Sequence, residues 1–590
     1  MATAAAAASG TLPVGESAEK SPFSKAQTQA KDERPKGNRA NELAGELLRD
    51  FSVWEGKRGI WEKHWEEVAQ KVLPYYSTSF YIQGNMVPGV KRNAEMYDTT
   101  ANAALWKFAA AMESMLTPAN NKWHRLRHPD MNLMKRRDVQ LWFDQVNDAM
   151  FFYRYSPRSG YQANQHDGYV SLGAFGTGCL FTDEYNDPLH PQMRGLRYRN
   201  VHLGELFFAT NFQGQVDKVG RRFKMTLRQI AQKWPDGLPE SYQQQLKDKP
   251  ENEVQIIHIV KPNPSFDPKA ANAKGYRYAS YYILREAVHL LHQGGYRCMP
   301  YSTSRYITAP GELYGRSPAM NVLPNISVIN EEKKTVLKQG HRTVDPVLLA
   351  YDDGVLDGFS LKPGAVNYGG VNADGRPLVH ALPVGNLAVG KELMDDERLA
   401  INDAFLVTLF QILVQTPQMT ATEVLERARE KGALLSPTMG RFQSESIGPQ
   451  IEREFDLLMW QGLIPPPPPA LVEAGATYMV EYDAPLNRAM RADEAAGTMR
   501  TFQWAAEIAA QTQDPSVMDF FDTDAIIPEL MQINGAPFRF MRDPKQVEQL
   551  RANRQQAQAA AQLTQALPGI AALQKASTPE GNAGFTGQPG

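Results

Sequence analysis

The chain has 590 residues, so several domains are expected, because a single hydrophobic core stops growing at roughly 250 to 300 residues. Its 63 Lys and Arg residues nearly balance 65 Asp and Glu residues, and the resulting net charge of -2 gives no overall attraction to a polyanion. Two cysteines, Cys179 and Cys298, form no CxxC motif and lie in no Cys-His cluster, which argues against a disulfide framework and a structural zinc site.

The ends of the chain and its apolar runs bear on its location. The N-terminal sequence lacks the basic and bulky apolar segments of a signal peptide. The longest strongly apolar run, 404–414, is shorter than the roughly 20 residues that cross a bilayer. Residues 1–40 and 569–590 are mostly small and polar, and such segments bury too little apolar surface to offset the entropy of ordering. We therefore expect a cytosolic protein or part of a soluble assembly, with two disordered tails.

Helices are predicted at the start of the folded part. Large apolar residues recur at steps of three, four or seven over 41–72, which predicts one long amphipathic helix or two that break near Gly59. Asp98 is the expected N-cap of an Ala-rich helix over 99–116. The pattern over 132–155 predicts a third helix.

Strands are predicted next, because short β-branched or aromatic runs are separated there by turn residues. These runs are 178–183, 204–210, 216–223, 254–260, 276–284 and 301–307. Thr226 is the expected cap of a short helix between them. The basic cluster over 221–224 alternates about its strand, and we predict that it lies on the wet face of the sheet. The fold class that follows is α+β and predominantly helical.

Two predicted helices, 316–343 and 391–414, flank an insert over 344–390. Pro318 is tolerated in the first turn of the first helix, and Pro324 predicts a kink. Turn signals such as Pro-Gly, Gly-Gly and Asp-Gly favour a small β-rich module for the insert. Three of its acidic residues can gather a cation, but a solvated loop is the favoured interpretation. They are Asp352, Asp353 and Asp357.

The remainder of the chain is predicted to be mostly helical. Five prolines at 465–469 make a stiff extended spacer, which we favour over a ligand for a recognition domain. Residues 476–481 are predicted to be a strand that returns to the sheet. The predicted helices are 420–431, 447–463, 487–511 and 543–567. The last one has a thin apolar stripe, which suits packing between identical subunits in a ring.

No signature of catalysis is found in the sequence. Gly390-Lys391 is followed by Glu392 and preceded by no glycine cradle, so no Walker A motif exists, and GxSxG and HExxH are also absent. His289 and His292 can share a face only on a helix, and their segment fits a strand equally well. We interpret them as a surface pair rather than metal ligands.

Charged residues collect on the two helices that flank the insert. The first helix carries basic residues on neighbouring turns, which can meet phosphates or the acids of a neighbour. They are Lys333, Lys334, Lys338 and Arg342. The second helix begins with acidic residues, which also complement a helix dipole. They are Glu392, Asp395, Asp396 and Glu397.

Three stretches together resemble the portal proteins, or head-to-tail connectors, of short-tailed bacteriophages. They are 214–229 (GQVDKVGRRFKMTLRQ), 311–319 (GELYGRSPA, followed by Leu323-Pro324) and 418–424 (QMTATEV). The resemblance covers about 41–567, and the motifs keep the order of that family. It implies a ring of twelve subunits at one capsid vertex, through which DNA enters during packaging and leaves on ejection.

The resemblance also implies the portal fold, with wing, stem, clip and crown parts. The wing is then 41–315, the stem helices 316–343 and 391–414, and the clip 344–390. A tunnel loop over 415–421 follows, then wing helices and the proline spacer over 422–475, and a returning strand and crown helices over 476–568. Implied partners are other copies of the chain, double-stranded DNA, the major capsid and scaffolding proteins, terminase and a tail adaptor. The implied location is the virion, with assembly in the host cytoplasm; no membrane, metal or cofactor is implied.

On this scheme, site residues fall into four groups. The tunnel loop contains Gln415, Thr416, Pro417, Gln418, Met419 and Thr420. The predicted channel-facing residues of the stem are Glu392, Asp395, Asp396, Lys334 and Lys338. The clip carries Asp352, Asp353 and Asp357, and the predicted subunit-packing residues are Leu406, Leu409, Phe410 and Leu413. A lumen should avoid dense positive charge, because each phosphate contact would then hold the DNA.

Two other classes of protein remain open. A tail or adaptor protein without a DNA channel would not need paired helices flanking an insert. A packaging enzyme would need a carboxylate cluster or a phosphate loop, and the sequence shows neither.

Overall fold

The computed structural model describes residues 9–11, 38–80, 89–185, 190, 192–270, 273–350, 359–368, 370–383, 387–408, 440–475, 477–482, 485–512, 515–522, 526, 542 and 546–558.

The N-terminal part is helical, as predicted. Its elements are β1 (Ser9–Thr11), α1 (Asn38–Val72), α2 (Thr100–Leu116), β2 (His124–Arg127), α3 (Met131–Met134), α4 (Arg137–Arg154) and α5 (Tyr161–Phe175). The helix predicted over 132–155 is therefore two helices. Asp130 caps the first of them by accepting a hydrogen bond from the Asn132 N–H at 2.8 Å.

Helix α1 is continuous through Gly59, because Arg58 is completely buried and ties it to the following sheet. The Arg58 guanidinium donates to Glu62 Oε1 at 2.7 Å and to the Leu206 carbonyl at 2.9 Å. It also lies 3.8 Å from the centre of the Phe207 ring. A buried cation with this many acceptors fixes the middle of the helix.

Residues 38–305 contain two antiparallel sheets, and these residues together with 440–475 are called the wing region below, as a label for that part of the chain alone. Their strands are β3 (Thr177–Glu184), β4 (Leu196–Asn200), β5 (Leu206–Thr210), β6 (Val216–Thr226), β7 (Glu253–Pro262), β8 (Tyr278–Leu284), β9 (His289–Tyr296) and β10 (Tyr301–Arg305). The larger sheet has the order β5-β6-β7-β8-β9, and the smaller one has the order β10-β3-β4. The sequence pattern predicts six of these strands but not β4, whose alternating Arg and Tyr residues look polar. It fits both a helix and a strand at β9.

Helices cover both faces of the larger sheet. On one face, Leu47 and Phe51 of α1 pack against Ile257 and Ile259. Helices α6 (Leu227–Lys233) and α7 (Glu240–Asp248) lie on the other face, where Ile230 packs near Ile256. Thr226 caps α6 with the predicted hydrogen bonds, in a reciprocal pair with Gln229. Each fully buried Leu, Ile or Phe contributes about 1.5–3 kcal/mol to this sandwich.

The prediction of a wet face for the basic cluster in β6 is wrong for Arg221 and Arg222, although Lys224 is exposed. Arg221 and Arg222 are 5% and 7% exposed, and they point to opposite sides of the strand. Arg221 Nε donates to Glu205 Oε2 at 2.9 Å, and Arg222 Nη1 donates to Glu55 Oε1 at 2.7 Å. Carboxylates supplied by other elements made burial of these arginines possible, and the local pattern did not reveal them.

The second half begins with α8 (Pro318–Asn321), α9 (Leu323–Val344), β11 (Leu348–Ala350), β12 (Val379–Ala381) and α10 (Leu387–Ala404). It continues with α11 (Gly448–Trp460), α12 (Pro469–Glu473), β13 (Thr477–Tyr482) and α13 (Pro485–Thr512). Residues 546–558 are helical within the segment predicted over 543–567, and the helix predicted over 420–431 lies outside the described residues. The proline run ends where α12 begins, and Pro465 accepts a hydrogen bond from Trp142 Nε1 at 2.9 Å.

The sequence predicts that strand β13 returns to the large sheet, and the structure shows that it does not. It pairs with β2 on one side and with β1 on the other. Ser9–Thr11 thus differ from the disordered tail expected over 1–40, because the backbone edge of a strand accepts any extended segment whatever its side chains. The remaining residues of that tail before Asn38, and residues 569–590, lie outside the described residues.

Candidate channel hairpin and its attachment to the wing

The motif over 311–319 joins the wing to the helical hairpin by a very close backbone crossing. A Cβ on Gly315 would lie 2.1 Å from the Gly176 carbonyl oxygen, so only glycine fits there. Its neighbour Tyr314 is 2% exposed and lies 4.9 Å, centre to centre, from the ring of Trp65. Ser317 caps α8 and donates to the Ala174 carbonyl at 2.8 Å. The motif is therefore a rigid junction.

The first hairpin helix, α9, begins after a break at Val322. The sequence predicts a kink at Pro324 within a longer helix, but Pro324 lies in the first turn of α9 and causes no kink. The second helix, α10, ends at Ala404, because Phe405 and Leu406 form a turn and Leu406 has φ 58°. Residues 407 and 408 are helical again, and residues 409–414 of the predicted helix lie outside the described residues. Phe405 and Val407 are buried in the main core, which redirects the chain.

One face of each helix meets the other. A Cβ on Gly390 would lie 2.9 Å from Val336 Cγ2, so the helices approach closely at that point. Asn325 Nδ2 donates to Glu397 Oε2 at 2.7 Å near the other end of the contact. Met394, between them on α10, is 4% exposed. Residues 390, 394 and 397 recur at helical steps and define the contact face of α10.

The opposite face of α10 is acidic and exposed. Glu392, Asp396 and Asp403 are all exposed and follow one another at steps of four and seven, so they form one stripe. Leu399 lies in the same stripe and is 61% exposed. Asp403 was not predicted as a site residue, although its spacing from Asp396 was visible in the sequence.

Lys334 and Lys338 lie on the side of the hairpin opposite to this acidic stripe. Both lie on the side of α9 that is remote from its contact face at Asn325 and Val336. Lys334 Nζ is 3.3 Å from Glu331 Oε1 and 5.8 Å from the centre of the Tyr97 ring, and Lys338 is exposed. The structure thus places the predicted acids and lysines on opposite sides of the hairpin, so the two sets do not line one surface.

One flank of the hairpin is fastened to the wing helices by charged and polar contacts. Arg398 of α10 donates to Asp98 Oδ2 at 2.9 Å and to Asp395 Oδ1 at 2.8 Å. Asn330 of α9 accepts from the Tyr97 N–H at 2.7 Å and donates to the Glu95 carbonyl at 2.9 Å. Asp395, predicted to face the channel, therefore belongs to the attachment.

Asp98 is the centre of this attachment. Its carboxylate also accepts from the Thr100 N–H at 2.9 Å at the start of α2. The N-cap of that helix is Thr99, however, and not Asp98 as the sequence predicts. Burial alone would raise the pKa of Asp98, but the hydrogen bonds from Thr100 and Arg398 hold it below its ordinary value. The flank opposite to Arg398 leaves Val328 and Leu393 46% and 52% exposed.

The insert forms a small two-stranded module with little core of its own. Strands β11 and β12 pair at Leu349↔His380. Large apolar side chains remain open to solvent in the described part of the module. Leu361 is 73% exposed, Val366 74% and Tyr368 95%. Such a cluster of exposed apolar side chains marks an interaction surface.

Several predicted site residues lie outside the described residues. They are Asp352, Asp353, Asp357, Leu409, Phe410, Leu413, Gln415, Thr416, Pro417, Gln418, Met419 and Thr420. Leu406 is described, is half-buried and packs against the core of its own subunit.

The described residues contain neither a candidate metal site nor a candidate membrane span. Among them, no group of three or more His, Cys, Asp or Glu side chains is arranged to hold a metal ion. His289 and His292 lie three apart on β9, but a register shift between them places both on the face covered by α6 and α7, opposite Leu284 and Tyr282. His289 Nε2 is 3.1 Å from the Gly237 carbonyl, and the His292 ring lies 6.2 Å, centre to centre, from the ring of Trp234. Within the same residues, no helix has the length and apolar character needed to cross a bilayer.

The sequence matches a known protein family over most of the chain. Residues 44–541 match the model of the bacteriophage head to tail connecting protein family. The chain is 28% identical over 550 residues to a probable portal protein of Bordetella phage BPP-1, covering 91% of this chain and 96% of that protein. It is 26% identical over 554 residues to the portal protein of Salmonella phage epsilon15, covering 90% and 94%. The chain belongs to the bacteriophage head to tail connecting protein family.

Proposed function

We propose that copies of this chain assemble into a ring of twelve at one capsid vertex and form the channel for double-stranded DNA. The observation that carries the proposal is the acidic stripe of α10, on a hairpin within a chain that matches the family over 44–541. Glu392, Asp396 and Asp403 face the lumen, and Lys334 and Lys338 lie away from it. The role is structural, with no catalytic residue or cofactor.

Charge explains why the acidic side suits the lumen. Each lysine that meets a DNA phosphate releases counterions and so gains binding free energy, which would hold the DNA at every step. Carboxylates repel phosphates and leave the DNA free to slide. A lining of Glu392, Asp396 and Asp403 repeated around the ring fulfils this requirement.

Neighbouring copies cover the apolar surfaces that one subunit leaves open. The flank with Val328 and Leu393 meets the hairpin of the next copy, and the exposed Val366 and Tyr368 pair the inserts of adjacent copies. Leu409, Phe410 and Leu413 are proposed to add to this packing. A heterologous contact of this kind forms a closed ring when the rotation from one subunit to the next is a whole-number fraction of 360°.

The parts of the ring follow the sequence scheme. Residues 41–315 and 422–475 form the wing, α9 and α10 the stem, 344–390 the clip with Asp352, Asp353 and Asp357, and 476–568 the returning strand and crown. Residues 415–421 form the tunnel loop that touches DNA. The clip end docks terminase during packaging and a tail adaptor afterwards, while capsid and scaffolding proteins contact the wing. The ring is assembled in the host cytoplasm and remains in the virion.

Electron microscopy of the purified protein tests the proposal. Rings with a central hole wide enough for duplex DNA are expected, and deletion of 414–420 should keep the rings but impair DNA packaging or retention. Compact monomers with nucleotide turnover would contradict it in favour of a packaging enzyme. Solid assemblies without a hole would favour a tail adaptor.

A further inference from the structure

The C-terminal end of α6 and the smaller sheet lie side by side on one face of the larger sheet. Lys233 of α6 lies on that face, since its Nζ is 4.8 Å from the centre of the Tyr282 ring, which stacks on the His258 ring at 4.0 Å. Tyr301 of the smaller sheet lies there too, because its hydroxyl oxygen is 2.6 Å from Nδ1 of His258. The boundary between Lys233 and Tyr301 is called the seam below, and the proposed channel and subunit contacts do not use it.

Two arginines of β4 also face the seam. Arg199 pairs directly with Phe181 of β3, which in turn pairs with Tyr301 of β10. Directly paired residues of an antiparallel sheet share a face, so Arg199 lies on the side that meets the larger sheet. Arg197 is two residues along the same strand and shares this face. Both arginines are exposed, so the edge of the seam is open to solvent.

Three exposed cations therefore collect at the seam. They are Arg197, Arg199 and Lys233, and none of them forms a salt bridge with a described residue. Loss of hydration lowers the pKa of Lys233, the Asp183 carboxylate raises it, and the charges of Arg221, Arg199 and Arg197 lower it further. Like charges that act on one another in this way repel, and a bound anion would relieve the repulsion.

The carboxylates near the seam are held by other arginines. Glu205 Oε2 accepts from Arg221 Nε at 2.9 Å and lies 2.8 Å from its Nη2. Asp183, which pairs with Arg197 along the ladder, lies 4.0 Å from Arg453 of α11. Asp183 is thus the one charge at the seam that opposes an anion and has no closer cation among the described residues.

We propose that the seam binds a phosphate-class anion, held by Arg197, Arg199 and Lys233. Three cations call for more than one negative charge, and a phosphate group carries up to two near neutral pH whereas a carboxylate carries one. The planar guanidinium of an arginine also matches two phosphate oxygens. The bound anion ties β4 to the end of α6. This chemistry is offered both by inorganic phosphate and by the phosphodiester groups of a nucleic acid.

Calorimetric titration of the full chain with sodium phosphate, against sodium chloride at equal ionic strength, tests the site. Arg199→Gln and Lys233→Gln should each weaken phosphate binding by about tenfold or more, because each removes a charged donor. Lys218→Gln is the matched control. Lys218 is also exposed, but it lies three residues before Arg221 on β6 and faces the other side of the sheet, so binding should be retained.

Thermal stability separates binding from a structural role. Phosphate should raise the Tm of the wild-type chain and leave the Tm of Arg199→Gln and Lys233→Gln nearly unchanged. In chloride, both variants should melt at or above the temperature of the wild type, because each removes one of several repelling charges. A lower Tm in chloride for both variants would show that the cations stabilise the fold, against the proposal.

A gain of affinity provides the opposite readout. Asp183→Asn removes the opposing charge and should tighten phosphate binding several-fold. Equal heats for phosphate and chloride in the wild-type chain would overturn the proposal, as would phosphate binding that Arg199→Gln and Lys233→Gln leave unchanged. Equal affinity for sodium acetate and sodium phosphate would overturn the phosphate assignment.

Competition distinguishes the two sources of the anion. A short DNA duplex that displaces phosphate from the wild-type chain, and binds less to Arg199→Gln, would identify the phosphodiester backbone as the ligand. Phosphate binding that the duplex leaves unchanged would identify the free anion.

Discussion

The wing and the hairpin differ in how far their side chains are buried within one chain. In the wing, both faces of the five-stranded sheet are covered by helices of the same chain, and even Arg58, Arg221 and Arg222 are buried with acceptors. The hairpin has one packed face and leaves Leu393 and Leu399 open to solvent, as are Leu361, Val366 and Tyr368 in the described part of the insert. The apolar side chains of the wing are thus covered within one chain, whereas those of the hairpin are not.

The junction between these regions should be the most sensitive position. Gly315→Ala places a Cβ 2.1 Å from the Gly176 oxygen, and the backbone has to move apart. We expect a loss of at least about 3 kcal/mol in the free energy of unfolding, measured by chemical denaturation.

The matched control lies in the open part of the hairpin. A Cβ on Gly340 would meet nothing within 4 Å, so Gly340→Ala should stabilise α9 by up to about 1 kcal/mol. Similar losses in both variants would refute the contrast between a dense junction and an open hairpin.

The attachment of the hairpin should give the next largest effect. Arg398→Ala leaves the Asp98 carboxylate, whose side chain is 6% exposed, without its cation. We expect a cost of about 1.5–3 kcal/mol and faster hydrogen exchange in α10. Asp395→Ala removes the other acidic partner of Arg398, which is exposed, and should cost under about 0.5 kcal/mol. Equal effects would show that Asp98 is not the anchor.

A substitution in the insert should impair ring formation without changing the stability of one subunit. Tyr368→Asp changes a side chain that is 95% exposed, so the stability of one subunit should change by less than about 0.5 kcal/mol. Ring formation, followed by sedimentation velocity, should be impaired, because a charge replaces an apolar contact. Phe212→Asp is the control in the wing, at 96% exposure, and should leave rings intact. Rings in both variants would exclude the insert from the interface.

The smallest expected effect concerns pH within the wing. Burial raises the pKa of Glu452, so the folded protein binds more protons than the unfolded chain between the unfolded and folded pKa values. Stability from this group therefore increases as the pH falls through the folded pKa. Glu452→Gln should raise the Tm at pH 7 and flatten its dependence on pH above about 4.3, the ordinary pKa of Glu. A lower Tm at pH 7 would show that the ionised carboxylate is stabilising.

Local patterns predicted the elements that are set by their own residues. The 35-residue helix α1 follows its apolar periodicity, and the Thr226 cap follows from residues three apart. The attachments could not be found in this way, because Asp98 and Arg398 are 300 residues apart, as are Arg154 and Glu454. No local spacing signals such partners, and the same limitation led to the incorrect wet face for Arg221 and Arg222.

The hairpin residues were predicted only in part for a related reason. The sequence predicts Glu392, Asp395 and Asp396 together as channel-facing residues. Helical spacing places Glu392 and Asp396, which are four apart, on one face. It does not say which face of α9 meets α10, and that contact places Lys334 and Lys338 opposite to the acids. Asp403 extends the stripe of Glu392 and Asp396. Asp395 lies outside the stripe and accepts a hydrogen bond from Arg398.

The orientation of α10 in the assembled ring is the most direct test of the channel. An electron cryomicroscopy map of the purified ring that resolves side chains on α10 would show it. We expect Glu392, Asp396 and Asp403 to face a central hole that admits duplex DNA, with Lys338 directed away from it. A hole lined by Lys334 and Lys338, or an assembly without a hole, would contradict the account.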